Sequence, residues 1–383
     1  MLIPYAFNGL AWVSYLSLVL FALIVKPFSG RAVIFLPIFA LTAYVLLSTT
    51  GTFAGDYGLG LSWLTLFWFA SDYILLTDVQ RTLRRLPPAP KEPIEKASLC
   101  ARTRWAVALF TAPRGVGWAH QPPTLPAAPL AGTPRLAFIV RRLCTAFLLF
   151  LLHDAANLHQ LWNPMFRAHG PGWRADGWGW RAIVVLAWGV SAYTAMELAV
   201  TLLSVMGVAC GLFAPEEWPP LFAPGEAYTI RRLWGRAWHQ LMRRFVSTHG
   251  KYLAHCVLRL SPGSNASSYI QLYTAFLISA LVHYGAEAMA LRIPRGGGAL
   301  AFFMLQPCAI MLEDFLIFLA RGAGMKGGTG VRIVGYAWVW VWVTLTLPGW
   351  QEPLVRAGQM DDSLPVSVLL GLWRGEWVLH SRS

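Results

Sequence analysis

The sequence predicts an all-α, polytopic integral membrane protein, a helical bundle of about eight to nine transmembrane helices, and three observations carry that prediction. Apolar runs close to the roughly 20 residues that cross a bilayer recur along the 383-residue chain. Of its residues 56% are hydrophobic and only 13% charged, whereas soluble domains carry about 25% charged residues. The 31 basic residues, which with 18 acidic ones give a net charge of +13, lie mostly between the apolar runs. That placement follows the positive-inside rule, and no nucleic-acid reader motif accompanies the charge, so nucleic acid is not expected as a partner.

Taken in order, the first apolar runs cover about 5–25, 31–49 and 61–77. The first has no basic n-region and no small-residue cleavage site, so it reads as a retained helix and not a removable signal. Residues 78–142 form a basic, Pro-rich loop carrying Arg81, Arg84, Arg85, Lys91, Lys96, Arg102 and Arg104, then PPTLPAAP. Its prolines disfavour continuous helix, apart from a short interfacial element at Trp105–Ala112. Further spans are expected at about 143–160, within 181–213, and at 270–291, 300–320 and 333–348; a ninth near 364–375 looks too short to cross alone. With the N-terminus lumenal, the inside loops hold 23 basic residues and the outside loops 6. That places the 78–142 loop in the cytosol. The five cysteines are scattered without close spacing, so neither a disulfide framework nor a metal site is expected.

The densest chemistry lies between Trp218 and Leu291. If Ile230–Phe245 is one helix, Arg232, Arg236, His239 and Arg243 fall within an arc of about 60°, opposite Trp234, Ala237, Trp238, Leu241 and Phe245. Such a cationic stripe matches phosphate oxygens; it equally suits an interfacial helix on anionic membrane lipids. In the following apolar run, His283 shares a helical face with Ser279 and Glu287 at i−4 and i+4. Its imidazole could therefore be oriented by a hydroxyl and a carboxylate and act as a general base. The alternative is that His283 only bonds a neighbouring helix. For His153, Asp154, Asn157, Glu197, Glu313 and Asp314, structural pairing is the expected role.

WPPLF, then LWGRAWHQ at Leu233–Gln240, then SALVHYGAE at Ser279–Glu287, resembles the wax synthase-like branch of the membrane-bound O-acyltransferase (MBOAT) superfamily. The segment Ala101–Trp118, ending in PRGVGW, resembles a segment of fungal members that acetylate terpenoids and meroterpenoids. Leu233 stands where Phe is usual in that pattern, and Ala237 where a second Arg is usual. The resemblance covers about 100–320, and with it 218–291 becomes the expected catalytic region of a single membrane domain spanning 1–383.

The resemblance implies acyl transfer from a coenzyme A thioester to a small lipophilic alcohol, with His283 and His239 as the catalytic positions. Arg232, Arg236, Arg243 and Trp238 are the candidate cofactor contacts, and Ser279 and Glu287 the supporting residues. The expected donor is acetyl-CoA, without a metal, and the expected location is the endoplasmic reticulum membrane. A long-chain wax ester synthase is the nearest alternative reading, and a proton-coupled transporter using His283 and Glu287 is the alternative from another class.

Overall fold

A computed structural model describes residues 5–86, 92–293, 297–360 and 366–378. Its helices, in chain order, are α1 (Leu10–Ile24), α2 (Phe35–Leu46), α3 (Phe53–Ser71), α4 (Val79–Thr82), α5 (Leu99–Phe110), α6 (Arg135–Trp162) and α7 (Gly177–Ala209). They continue as α8 (Ile230–Arg232), α9 (Arg243–Lys251), α10 (Asn265–Leu291), α11 (Ala299–Gly322), α12 (Thr329–Thr346), α13 (Pro348–Arg356) and α14 (Val368–Arg374). A π-helical turn, Asp72–Leu76, prolongs α3. The chain is mostly helical, apart from a parallel pairing of Tyr5–Ala6 with Ser48–Thr49.

Against the expected eight to nine crossings, five helices among the described residues are long and apolar enough to cross a membrane, or six if the α12–α13 pair, bent by 43°, forms one span. Two local causes lie near the N-terminus. Residues Tyr5 and Ala6, which hydropathy assigns to the first span, are drawn into the short strand pairing. Helix α1 then stops where Val25 turns extended, just before Lys26-Pro27, as expected ahead of a proline. The results are helices of 15 and 12 residues for α1 and α2, each short for a bilayer. Of the candidate ninth segment, residues 364 and 365 lie outside the described residues, and the seven-residue α14 occupies Val368–Arg374.

Two compact units emerge, residues 1–123 with 240–311, and residues 124–239 with 312–383. In the first, the core gathers Tyr15, Trp63, Tyr73, Leu109, Trp118 and Phe245. Helices α3 and α10 approach closely there: a Cβ on Gly60 would lie 2.8 Å from Ala286 Cα, and one on Gly285 would meet Leu64 Cδ1. Both ends of α3 carry buried carboxylates. Asp56 pairs with Arg292, at the end of α10, and accepts hydrogen bonds from the Thr49 hydroxyl and from the Thr50 backbone and hydroxyl groups. Asp72 lies 3.1 Å from Arg244 Nε on α9 and accepts from the Thr77 hydroxyl at 2.6 Å.

In the second unit the long helices α6 and α7 pack together, and polar groups within them are paired as expected. Arg142 lies 3.9 Å from Glu197 and donates to the Trp218 carbonyl, while Glu197 accepts from the Leu221 N–H. The WPPLF segment is thus held by two residues of membrane helices. His153 meets the Thr194 hydroxyl at 3.0 Å, and Asp154 accepts from the Leu369 N–H, at the start of α14.

The α3–α10 contact leaves no room for a side chain at Gly60, so Gly60→Val is expected to cost about 1–3 kcal/mol through overpacking. A thermal melt of the detergent-solubilised protein should show a midpoint lowered by several degrees, on the order of 2–4 °C per kcal/mol. An unchanged midpoint would contradict the contact.

Candidate active site

Helix α10 carries the Ser279, His283 and Glu287 face into the first unit, 27 residues of helix being capped at its start by the Ser264 hydroxyl. There His283 Nδ1 lies 3.3 Å from the hydroxyl of Tyr57, on α3. The Phe303 ring stacks on the imidazole, centroids 4.6 Å apart and nearly parallel. Neither Tyr57 nor Phe303 was anticipated from the sequence. Tyr57 is 226 positions away along the chain, and only the packing of α3 on α10 brings it to the imidazole.

Both expected supporting residues, Ser279 and Glu287, also bond the backbone. Ser279 Oγ donates to the Ala275 carbonyl one turn back at 3.0 Å, the usual habit of a mid-helix serine. Glu287 is fully buried, and its carboxylate accepts the N–H groups of Gly297 at 2.8 Å and Ala299 at 3.1 Å. A carboxylate at the start of α11 satisfies donors that a helix N-terminus otherwise leaves open, and it matches the positive end of the helix dipole.

The cationic stripe is corrected. Ile230–Phe245 is not one helix: α8 gives way to a π-helical turn, Leu233–Ala237, and Trp238 is extended. The Ala237 carbonyl accepts from the Ala223 N–H at 2.9 Å, a tertiary bond that competes with continuation of the helical ladder. Helix resumes at Arg243, in the other compact unit, so the four residues share no common helical arc. Arg232 pairs with Glu226 and covers the Tyr228 ring at 4.3 Å, and Arg236 lies 3.7 Å from the same carboxylate. The Arg232 guanidinium is shifted below its ordinary pKa, first by desolvation and then by the cations Arg236 and Arg332.

His239 sits in an aromatic nest, with Trp238 at 5.7 Å and Phe222 of WPPLF at 6.3 Å between ring centroids. Trp238 packs edge-on against Phe222 at 5.0 Å and against Trp234 at 6.2 Å. Glu313 caps α8 by accepting the N–H groups of Ile230 and Arg231, and it also accepts from Trp338; Asp314 pairs with Arg231. The conspicuous acidic pair of α11 thereby holds the LWGRAWHQ segment in place.

A profile of the Membrane bound O-acyl transferase family matches residues 218–305, the stretch containing WPPLF, His239, His283 and Phe303. The chain is 35% identical to acetyltransferase ple2 of Rhodocybe pseudopiperita over 95% of each chain. The chain belongs to the membrane bound O-acyl transferase family. It is an acetyltransferase of that family. Acetyltransferase eriL of Hericium erinaceus is 34% identical over 91% of each chain. Acetyltransferase ataH of Aspergillus terreus is 31% identical over 69% of this chain and 93% of its own.

The Tyr57–His283 contact orients the imidazole ring. Tyr57→Phe is expected to lower kcat by at least about tenfold, part of the 10²–10⁴-fold that a positioned base typically supplies. The KM values should stay within about twofold, since the bond does not touch ground-state binding. Steady-state kinetics on membranes would check this, and an unchanged kcat would remove Tyr57 from the site.

Proposed function

We propose that the protein transfers the acetyl group of acetyl-CoA to a hydroxyl of a lipophilic, terpenoid or meroterpenoid alcohol in secondary metabolism. The reading rests on the acetyltransferase relatives that align along nearly the whole chain, and the setting of His283 supports it. The Tyr57 hydroxyl meets the imidazole at Nδ1, and in this reading Nε2 is the atom that faces the acceptor. It takes the proton of the alcohol as the oxygen attacks the thioester carbonyl. The tetrahedral intermediate then collapses, the C–S bond breaks, and the imidazolium returns the proton to the departing thiolate. Phe303 walls one face of the ring and keeps bulk water from it.

We assign His239 to the donor side, as the group that hydrogen-bonds the thioester or its developing oxyanion. Arg232, Arg236, Arg243 and Trp238 remain the candidate contacts of the cofactor, although Glu226 offsets charge on the first two. Residues 218–291 are the proposed catalytic region. The protein is assigned to the endoplasmic reticulum with a lumenal N-terminus. Asn265-Ala266-Ser267 is an N-glycosylation acceptor pattern that this orientation keeps on the cytosolic side.

Two experiments test the reading. Membranes containing the protein, given acetyl-CoA or palmitoyl-CoA with a panel of terpenoid and fatty alcohols, should form acetyl esters of the terpenoid alcohols. Palmitoyl transfer to fatty alcohols without acetyl transfer would instead identify a wax ester synthase. His283→Ala should abolish turnover at normal membrane insertion, and His239→Ala should reduce it. For the orientation, endoglycosidase treatment should leave electrophoretic mobility unchanged; removal of a glycan from Asn265 would invert the assignment.

A further inference from the structure

The PRGVGW-type segment has so far no role; it supports a groove formed by its neighbours. A groove of about 440 Å³ opens between α5 and the chain around Arg85, lined by Arg85, Glu92, Ile94, Arg104 and Trp105, with two alanines completing the floor. Its volume falls within the roughly 300–1,000 Å³ of small-molecule sites. Ala101, Arg104 and Trp105 all belong to the Ala101–Trp118 segment, and Trp118 at its far end holds two of the lining residues in place. Arg85 bridges Trp118 in antiparallel fashion: Leu86 donates to the Gly117 carbonyl and Ala119 to the Arg84 carbonyl, both at 2.8 Å. Trp105 in turn packs edge-on against Trp118 at 5.7 Å. Gly115, at φ +66°, makes the turn, and a Cβ there would collide with the His120 ring at 2.8 Å. The two halves of one sequence segment thus hold two guanidinium groups beside an apolar wall.

We propose that this groove binds the adenosine 3′-phosphate end of the coenzyme A donor. The inference rests on the reading that the donor is a coenzyme A thioester. Arg85 and Arg104 offer the forked donors that phosphate takes in bidentate fashion. Ile94 and the Trp105 wall suit a planar base, and the Glu92 carboxylate on the rim accepts from an adenine amino group or a ribose hydroxyl. Coenzyme A carries a 5′-diphosphate as well as the 3′-phosphate, so cationic groups elsewhere in the chain have their own phosphates to meet. The groove lies in the basic 78–142 stretch, which the charge pattern assigns to the cytosolic face, where the donor is found. An anionic lipid headgroup presents the same phosphate chemistry, and the test separates the two.

Initial rates are measured on membranes with acetyl-CoA and with acetyl-dephospho-CoA, which lacks only the 3′-phosphate, for the natural chain and for Arg104→Gln and Arg85→Gln. The natural chain should show a KM for the dephospho donor raised about tenfold, the value of one charge-assisted contact. Each variant should raise the KM for acetyl-CoA by a similar factor while leaving that for the dephospho donor within about twofold. Activity retained on the dephospho donor also shows that the variants fold. Equal penalties on both donors would assign the arginines to lipid headgroups or to structure, and no penalty on either would empty the groove of any role. Both outcomes overturn the proposal. Failure of the natural chain to use any coenzyme A thioester would instead overturn the donor reading itself.

Discussion

Helix α3 is fastened at both ends, and the geometry around His283 depends on that fastening. Asp56 near its start pairs with Arg292, and Asp72 at its end pairs with Arg244, about 24 Å further along at 1.5 Å per residue. Both carboxylates are buried. Removing one partner of such a pair leaves a charge without compensation, at a typical cost of 3–5 kcal/mol. Between these two anchors, glycines at 60 and 285 let α3 and α10 approach until backbone nearly touches backbone, the way small residues work in membrane helix packing. Tyr57 follows directly after Asp56, so the anchor that fixes the helix also fixes the hydroxyl at the imidazole.

The polar residues inside the membrane helices divide into those that hold the protein together and those left for chemistry. Arg142 and Glu197 grip the WPPLF segment, Glu313 caps α8, and Glu287 caps the start of α11. Each satisfies backbone groups that would be costly to bury without a partner. His283 differs in having a phenol and an aromatic face as its surroundings. In the proposed reaction that imidazole is the group that takes the proton of the alcohol.

The residue types in the sequence already disclosed the membrane class, the family motifs and the two histidines, because hydropathy and local spacing are properties of the chain itself. They also pointed to structural pairing for Asp154, Glu197, Glu313 and Asp314, since an ionisable group in an apolar helix must find a partner. Helix ends were less legible. The run Ile230–Phe245 contains no proline and has the periodicity of one helix, yet a carbonyl captured by Ala223 interrupts it after Ala237. That competitor lies outside the run itself, and helical periodicity does not register it.

What the sequence determined by itself is therefore the solvent in which the protein folds and the chemical groups available within it. Tertiary structure alone decided which groups meet. Glu287 and Ser279 share a helical face with His283, but their hydrogen bonds run to α11 and back along α10. The partner that reaches Nδ1 comes from α3, more than 200 positions earlier, and Phe303 from α11. Helical periodicity determines which residues lie on one face. What lies opposite that face depends on how closely the helices can approach, and here the glycines of α3 and α10 set that distance.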